Sequence, residues 1–264
     1  MLGHINCIIS APRTGSNKFC EVISGVKTVD GYYEIFHELD AYGINNNVIS
    51  FINKKMNTSF ENTVDEDFGI FRRSQPDVFL ELLNKYLLEE NKKHLFFKLF
   101  FNQLPEEALE KLFKVKKISF IFLVRNILDI YISQVKASDL SSWDSVDTTQ
   151  IKINLDRKKF LTYQDRILNW YSYCYSKINN KSTIKFINYE NIFSNGDVDK
   201  NILSSVGLNK EKSIIKEPFF VKQDKNIDWF DKVKNPDTVL GLLNENKIIV
   251  DIQKYIEDKF KMGV

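Results

Sequence analysis

Residues 10–18 read Ser-Ala-Pro-Arg-Thr-Gly-Ser-Asn-Lys, between an apolar run at 5–10 and a segment with Phe19, Val22 and Ile23 at helical spacing. A strand, a loop and a helix start in that order leave backbone N–H groups and a positive dipole end at the loop. Pro12, Arg13, Thr14, Gly15, Ser16 and Asn17 have the chemistry an anion needs there. Gly15 allows close backbone approach, Thr14 and Ser16 add hydroxyl donors, and Arg13 adds a fixed charge. A phosphate or a sulfate would suit this loop; the plainer reading is a strand-to-helix turn capped by Ser16. It is not a Walker A loop, because Asn17 and Lys18 stand nearest to the slots that motif fills with Gly-Lys and a hydroxyl residue.

A second arginine, Arg125, follows the apolar run 118–124, and Ser133 comes eight residues later in a segment of helical pattern. Ligands bind at the carboxyl edge of parallel α/β sheets, so a strand-end arginine can meet the same anion as the first loop, with the Ser133 hydroxyl beside it. The plainer reading pairs Arg125 with Asp129 at i, i+4 and leaves Ser133 solvated. An acid at this strand end would hold magnesium in a nucleotide triphosphatase, and Arg125 stands there instead, which disfavours a metal-dependent kinase. For proton transfer the segment 32–38, Tyr-Tyr-Glu-Ile-Phe-His-Glu, offers Glu34 and His37. Both are candidate bases, Glu34 if burial raises its carboxyl and His37 with an unperturbed pKa about 6.5. Lys98 lies in an aromatic, apolar neighbourhood, where an ammonium either leaves the sheet edge or meets an anion.

The elements that position these residues follow from pattern. The runs 5–10, 95–101, 118–124 and 183–188 are short and nearly continuously apolar, as strands covered on both faces must be. Between them, residues 77–91, 105–113 and 157–180 carry helical spacing. Alternation of this kind predicts an α/β fold, a three-layer sandwich around a mainly parallel sheet. The expected organisation is one domain over 1–264, with lid loops at 45–66 and 137–155, a segment at 216–240 folding over a ligand, and a last helix over 244–261. Lys and Arg total 37 against 35 Asp and Glu, a net charge of +2, so no broad basic face for nucleic acid is expected and an anion site must be local. Cys7, Cys20 and Cys174 are too few and too scattered for a disulfide framework or a zinc cluster. No membrane-spanning or signal segment is evident, so a cytoplasmic protein is expected.

The two constellations in order resemble the sulfotransferases that use 3′-phosphoadenosine 5′-phosphosulfate (PAPS). That family's 5′-phosphosulfate loop is similar to Pro12–Ser16, and its 3′-phosphate signature, an Arg at a strand end and a Ser eight residues on, is similar to Arg125 and Ser133. Phe97-Lys98-Leu99 resembles the family's lysine-bearing strand, and residues 188–192 its Tyr-Glu-Asp-Leu segment. Lys222-Gln223, followed by Val233-Lys234-Asn235, looks like the C-terminal cofactor loop of bacterial members. The resemblance implies a P-loop-NTPase-like sulfotransferase fold and sulfuryl transfer from PAPS, leaving PAP, without a metal. The acceptor would be a hydroxyl of a carbohydrate, glycolipid or small molecule, or less readily an amine. It further implies Glu34 as base, as in the bacterial and carbohydrate-directed branches. Tyr189 would lie on adenine, and Lys222 and Gln223 would close over the nucleotide. Asn17, Asn126 and Asn191 depart from residues frequent in the family; an amide at 17 can still donate. A kinase or a non-catalytic nucleotide-binding module are the alternatives.

Overall fold

The computed structural model describes residues 3–141, 146–193, 198–208, 219–220 and 223–261. The first half of the chain runs β1 (His4–Ile9), α1 (Ser16–Ser24), β2 (Val29–Gly31), α2 (Asn46–Met56), α3 (Glu66–Ser74), α4 (Pro76–Glu89), β3 (His94–Leu99) and α5 (Glu106–Phe113). The second half runs β4 (Ile118–Val124), α6 (Ile127–Leu140), α7 (Arg157–Lys177), β5 (Ile184–Asn188), α8 (Tyr189–Phe193), α9 (Val198–Ser205), α10 (Pro236–Asn244) and α11 (Ile252–Lys261). The five strands form one all-parallel sheet in the order β2-β3-β1-β4-β5. The expected α/β fold with a central parallel sheet is the fold observed.

Strand composition explains the layering. Side chains alternate across a sheet, so residues covered on both faces must be apolar at odd and even positions alike. On one face Cys7, Ile9, Phe97, Leu99 and Phe122 pack with Phe79 of α4 and Tyr171 of α7. On the other, Ile8, Phe96, Ile121 and Leu123 pack with Phe19, Val22 and Ile23 of α1. Each such large side chain taken from water contributes about 1.5–3 kcal/mol.

The topology decides where loops meet. β1 pairs with β3 on one side and β4 on the other, although the chain leaves it for β2. The turns after β1, β3 and β4 therefore emerge side by side, and the segment after β2 lies next to the β3 turn. This reversal of winding is where open α/β sheets bind ligands.

Three expectations about irregular segments are corrected. The stretch 45–66 is not all loop: α2 occupies half of it, with Val48, Ile49 and Ile52 buried. Its apolar period is short and interrupted by Asn and Lys, but the Asn45 side chain caps it by accepting from the N–H groups of Asn47 and Val48 at 3.0 and 3.2 Å. The stretch 137–155 is a loop only beyond α6: it opens with the last turn of that helix, and its described residues 146–155 are irregular apart from an isolated bridge at Ile153, with Ile153 and Leu155 buried. The helix expected over 244–261 forms only from Ile252: α10 ends at Asn244, and residues 245–251 separate it from α11. Asn246 adopts φ 52° after α10, and Gln164 of α7 binds the Lys247 carbonyl and the Ile249 N–H at 2.8 and 2.9 Å, holding that stretch out of helical pairing. No helix among the described residues is long and apolar enough to cross a membrane.

Replacing the α2 cap tests the first correction. Asn45→Ala is expected to lower stability by about 1 kcal/mol in urea denaturation, without changing the slope of the transition.

Candidate active site

The loop between β1 and α1 contains two left-handed residues, Arg13 at φ 69° and Gly15 at φ 82°. No side chain caps α1, so Ser16 is not the N-cap that the plainer reading supposed, and the first-turn N–H groups lack a capping side chain. Thr14 is fully buried, its hydroxyl donating to the Ala11 carbonyl at 2.8 Å and bracing the turn that Pro12 begins. Gly15 is required on two counts. Its φ is costly for other residues, and a Cβ there would lie 2.4 Å from Cε2 of Tyr189.

Both arginine constellations converge on this loop. Arg125 donates from a terminal guanidinium nitrogen to the Arg13 carbonyl at 2.8 Å. Its guanidinium lies 4.2 Å from the centroid of the Tyr189 ring, which is itself stacked on Phe193 at 4.4 Å. Arg13 Nε donates to Ser133 Oγ at 3.1 Å, and another of its nitrogens donates to Gln223 Oε1. The pairing of Arg125 with Asp129 does not form, because Asp129 takes Lys232 at 2.5 Å. Arg125 Nε and Gln223 Nε2 are buried donors without a partner in the protein. An uncapped helix start, two guanidinium groups and two orphaned donors fit an anionic group of the phosphosulfate kind. Lys222 lies outside the described residues.

Glu34 stands on the neighbouring rim. The backbone past β2 keeps pairing with β3, Tyr32 N–H to the Phe96 carbonyl at 2.8 Å and Lys98 N–H to the Tyr33 carbonyl at 3.0 Å. Ile35 and Phe36 go into the core, and the fully buried Arg72 donates to the carbonyls of Ile35 and His37 at 2.8 and 2.5 Å. Burial pushes the Arg72 guanidinium down to about 10, still charged near neutrality. Glu34 Oε1 is 3.0 Å from Lys98 Nζ, and Oε2 accepts from Gln103 Nε2 at 2.7 Å. Gln103 is held in turn by the Phe100 N–H at 3.0 Å. Lys98 also donates to Asn17 Oδ1, joining the Glu34 cluster to the first turn of α1. Asn17 thus has only its Nδ2 hydrogens to offer an anion. Cys20 lies nearby with its thiol pushed up to about 12 by burial, an effect that Lys98 opposes and Glu34 adds to, so it is no nucleophile.

His37 is not brought to this cluster. Its Nδ1 accepts from the Leu39 N–H at 3.3 Å and its ring meets the edge of Tyr42 at 5.0 Å, contacts that lie in its own turn.

Polar contacts clamp the C-terminal strap over α6, the helix that carries Ser133. Lys136, 1% exposed, binds Asp224 at 2.6 Å and the Thr148 carbonyl at 3.0 Å. Thr148 N–H donates to the Gln223 carbonyl at 2.7 Å, and Ile153 bridges to Val233. Gln223 is thereby fixed against Arg13. Sequence reasoning missed Arg72, Gln103, Lys136 and Asp224. Lys136, one turn beyond Ser133, gave the only sequence signal, as a charge in an otherwise apolar helix face.

The sulfotransferase domain family matches residues 6–215, and the chain belongs to that family. Membership makes it a PAPS-dependent sulfotransferase. Among solved structures it is similar to the sulfotransferase domain of the Synechococcus PCC 7002 olefin synthase, at 13% identity and TM-score 0.44 over 99% of this chain and 89% of that one. It is similar also to the sulfotransferase domain from the curacin biosynthetic pathway, at 12% and 0.46 over 98% and 91%. Sulfotransferase STF1 of Mycobacterium tuberculosis H37Rv matches at 9% and 0.39 over 79% and 68%. Curated protein sequences give no match.

Two substitutions test this construction. Gly15→Ala is expected to cost about 1–3 kcal/mol through backbone strain and the Tyr189 contact, and to abolish the thermal shift given by 3′,5′-ADP. Lys136→Met, which leaves Asp224 without its partner, should cost about 3 kcal/mol in urea denaturation.

Proposed function

We propose that the protein transfers the sulfuryl group of PAPS to a hydroxyl group of a carbohydrate, glycolipid or small-molecule acceptor. The observation that carries this reading is the convergence of Arg13, Arg125 and Ser133 on the uncapped start of α1, with Glu34 joined to the same helix through Lys98 and Asn17. In the family pattern, residues matching Pro12–Ser16 take the 5′-phosphosulfate, and Arg125 with Ser133 takes the 3′-phosphate that separates PAPS from ATP. The bound donor supplies an activated sulfuryl group with a 5′-phosphate as its leaving group.

The chain's own residues have separable tasks. The α1 N–H groups, Thr14, Ser16 and Asn17 bind the 5′ end, and Arg13 balances the negative charge that grows on the bridging oxygen. Lys98, held by Glu34 and Asn17, would stabilise the charge that an equatorial sulfuryl oxygen gains. Glu34 accepts the proton of the acceptor hydroxyl as that oxygen bonds to sulfur and the bond from sulfur to the phosphate oxygen breaks. Lys98 and Gln103 each bind one of its carboxylate oxygens, fixing its direction while leaving lone pairs for the acceptor. Tyr189 would present a face to adenine beside Arg125, and Gln223, with Lys222, would close over the nucleotide. His37 is the weaker candidate for base, since its contacts lie in its own turn. The three cysteines are free and buried, which suits a reducing cytoplasm.

Thermal shift with 3′,5′-ADP, ADP, and ATP with Mg²⁺ separates this reading from a nucleotide kinase. A rise with 3′,5′-ADP without metal supports it; a response confined to ATP with Mg²⁺ overturns it. Arg125→Ala is expected to weaken 3′,5′-ADP binding about tenfold more than 5′-AMP binding, which loses only what the freed Arg13 carbonyl costs the loop. Equal losses for the two ligands would remove Arg125 from the 3′-phosphate. Glu34→Gln should keep 3′,5′-ADP binding and lower turnover by about 10²–10⁴-fold, which separates the enzyme from a non-catalytic module. Turnover at the wild-type rate would move the base elsewhere.

A further inference from the structure

A groove of about 300 Å³ opens between the turn after β3 and helix α7, walled by Phe101, Leu104, Trp170 and Tyr173, with Arg166 on its lip. Its two walls are each one hydrogen bond from the site described above. Trp170 Nε1 donates to the carbonyl of Ser10, the residue that opens the anion loop, at 3.2 Å. On the facing wall, Gln103 sits between the lining residues Asn102 and Leu104 and donates to Glu34 at 2.7 Å. Trp170 and Gln103 thus stand between the groove on one side and the loop and the carboxylate on the other.

The groove's chemistry is specific. Its walls are aromatic and aliphatic, suited to a flat apolar body. At one end the Arg166 guanidinium lies 4.1 Å from the Phe101 ring centroid, and no carboxylate among the described residues pairs with it. The carboxylate at the rim, Glu106, is engaged by Lys177 at 3.4 Å. A guanidinium stacked on a ring keeps its edge nitrogens directed outward in a fixed fork, the geometry that takes a carboxylate in two hydrogen bonds. One helical turn before it, Tyr163 lies in the field of both Arg166 and Arg13, and its hydroxyl is buried without a partner.

We propose that this groove is the acceptor site and that Arg166 selects acceptors whose apolar, ring-bearing body carries a negatively charged group. The inference rests on the sulfotransferase reading of Glu34 and the anion loop. It adds a positive acceptor subsite distinct from the arginines assigned to the donor.

The test uses the whole protein saturated with 3′,5′-ADP, titrated with 4-hydroxyphenylacetate and with its uncharged analogue 4-hydroxyphenylacetamide, followed by calorimetry and tryptophan fluorescence. The wild type is expected to bind the carboxylate about tenfold tighter than the amide, as a charge-assisted pair predicts. Arg166→Gln should bring the two within about twofold while leaving the 3′,5′-ADP affinity unchanged; Arg166 is exposed, so little effect on folding is expected. Phe101→Ala should weaken both ligands by similar factors. Failure of the carboxylate to bind, equal affinities in the wild type, or a preference that survives Arg166→Gln would each overturn the proposal while 3′,5′-ADP binding stands. Loss of 3′,5′-ADP binding in the wild type itself would instead sink the donor reading, and this inference with it.

Discussion

The carbonyl oxygen of Arg13 faces the guanidinium of Arg125 because Arg13 holds a left-handed backbone, and that hydrogen bond fastens the turn after β1 to the end of β4. Much of the site is arranged around it. Arg125, flattened on Tyr189, ties in α8; Tyr189 comes so close to the loop that only glycine fits at position 15; and the Arg13 side chain is left to reach α6 and the strap. A residue held at positive φ carries a backbone cost, which the surrounding contacts must offset.

Electrostatics impose the second requirement. Arg13, Arg125 and Lys98 gather near the positive end of α1 in a protein whose net charge is only +2. Such crowding of like charge is unfavourable unless each cation has a partner. Neutral groups are among the partners of each: a carbonyl for Arg125, a hydroxyl and an amide for Arg13, and an amide beside one carboxylate for Lys98. Neutral partners satisfy donors without cancelling the field, so the positive potential at the sheet edge remains available to an anionic ligand.

Much of this was legible in the sequence, for physical reasons. Strands buried on both faces must be apolar throughout, and the strand-end arginine and the glycine-bearing loop are local signals that a parallel topology brings to one edge. What escaped reading depends on pairs distant in the chain: Gln103 with Glu34, 69 residues apart, and Lys136 with Asp224, 88 apart. Gln103 and Asp224 have no local pattern, since each side chain acquires its meaning only after the sheet has formed. The helix within 45–66 escaped for a different reason, its short apolar stripe being fixed by the Asn45 cap and by packing rather than by propensity. His37 looked competent by type, yet its backbone carbonyl is what the fold uses, as an acceptor for Arg72.

The contact between Gln223 and Arg13 makes the strap a place-holder. An uncharged amide stands against the guanidinium, and the same strap is moored to α6 by the buried Lys136 and Asp224 pair. On the donor reading proposed above, a phosphate oxygen at Arg13 would replace that amide, exchanging a weaker acceptor for a charged one, while the Lys136 and Asp224 pair stays in place. On the same reading the amide would reoccupy Arg13 as the phosphate withdraws, so that release exchanges one acceptor for another at a single guanidinium.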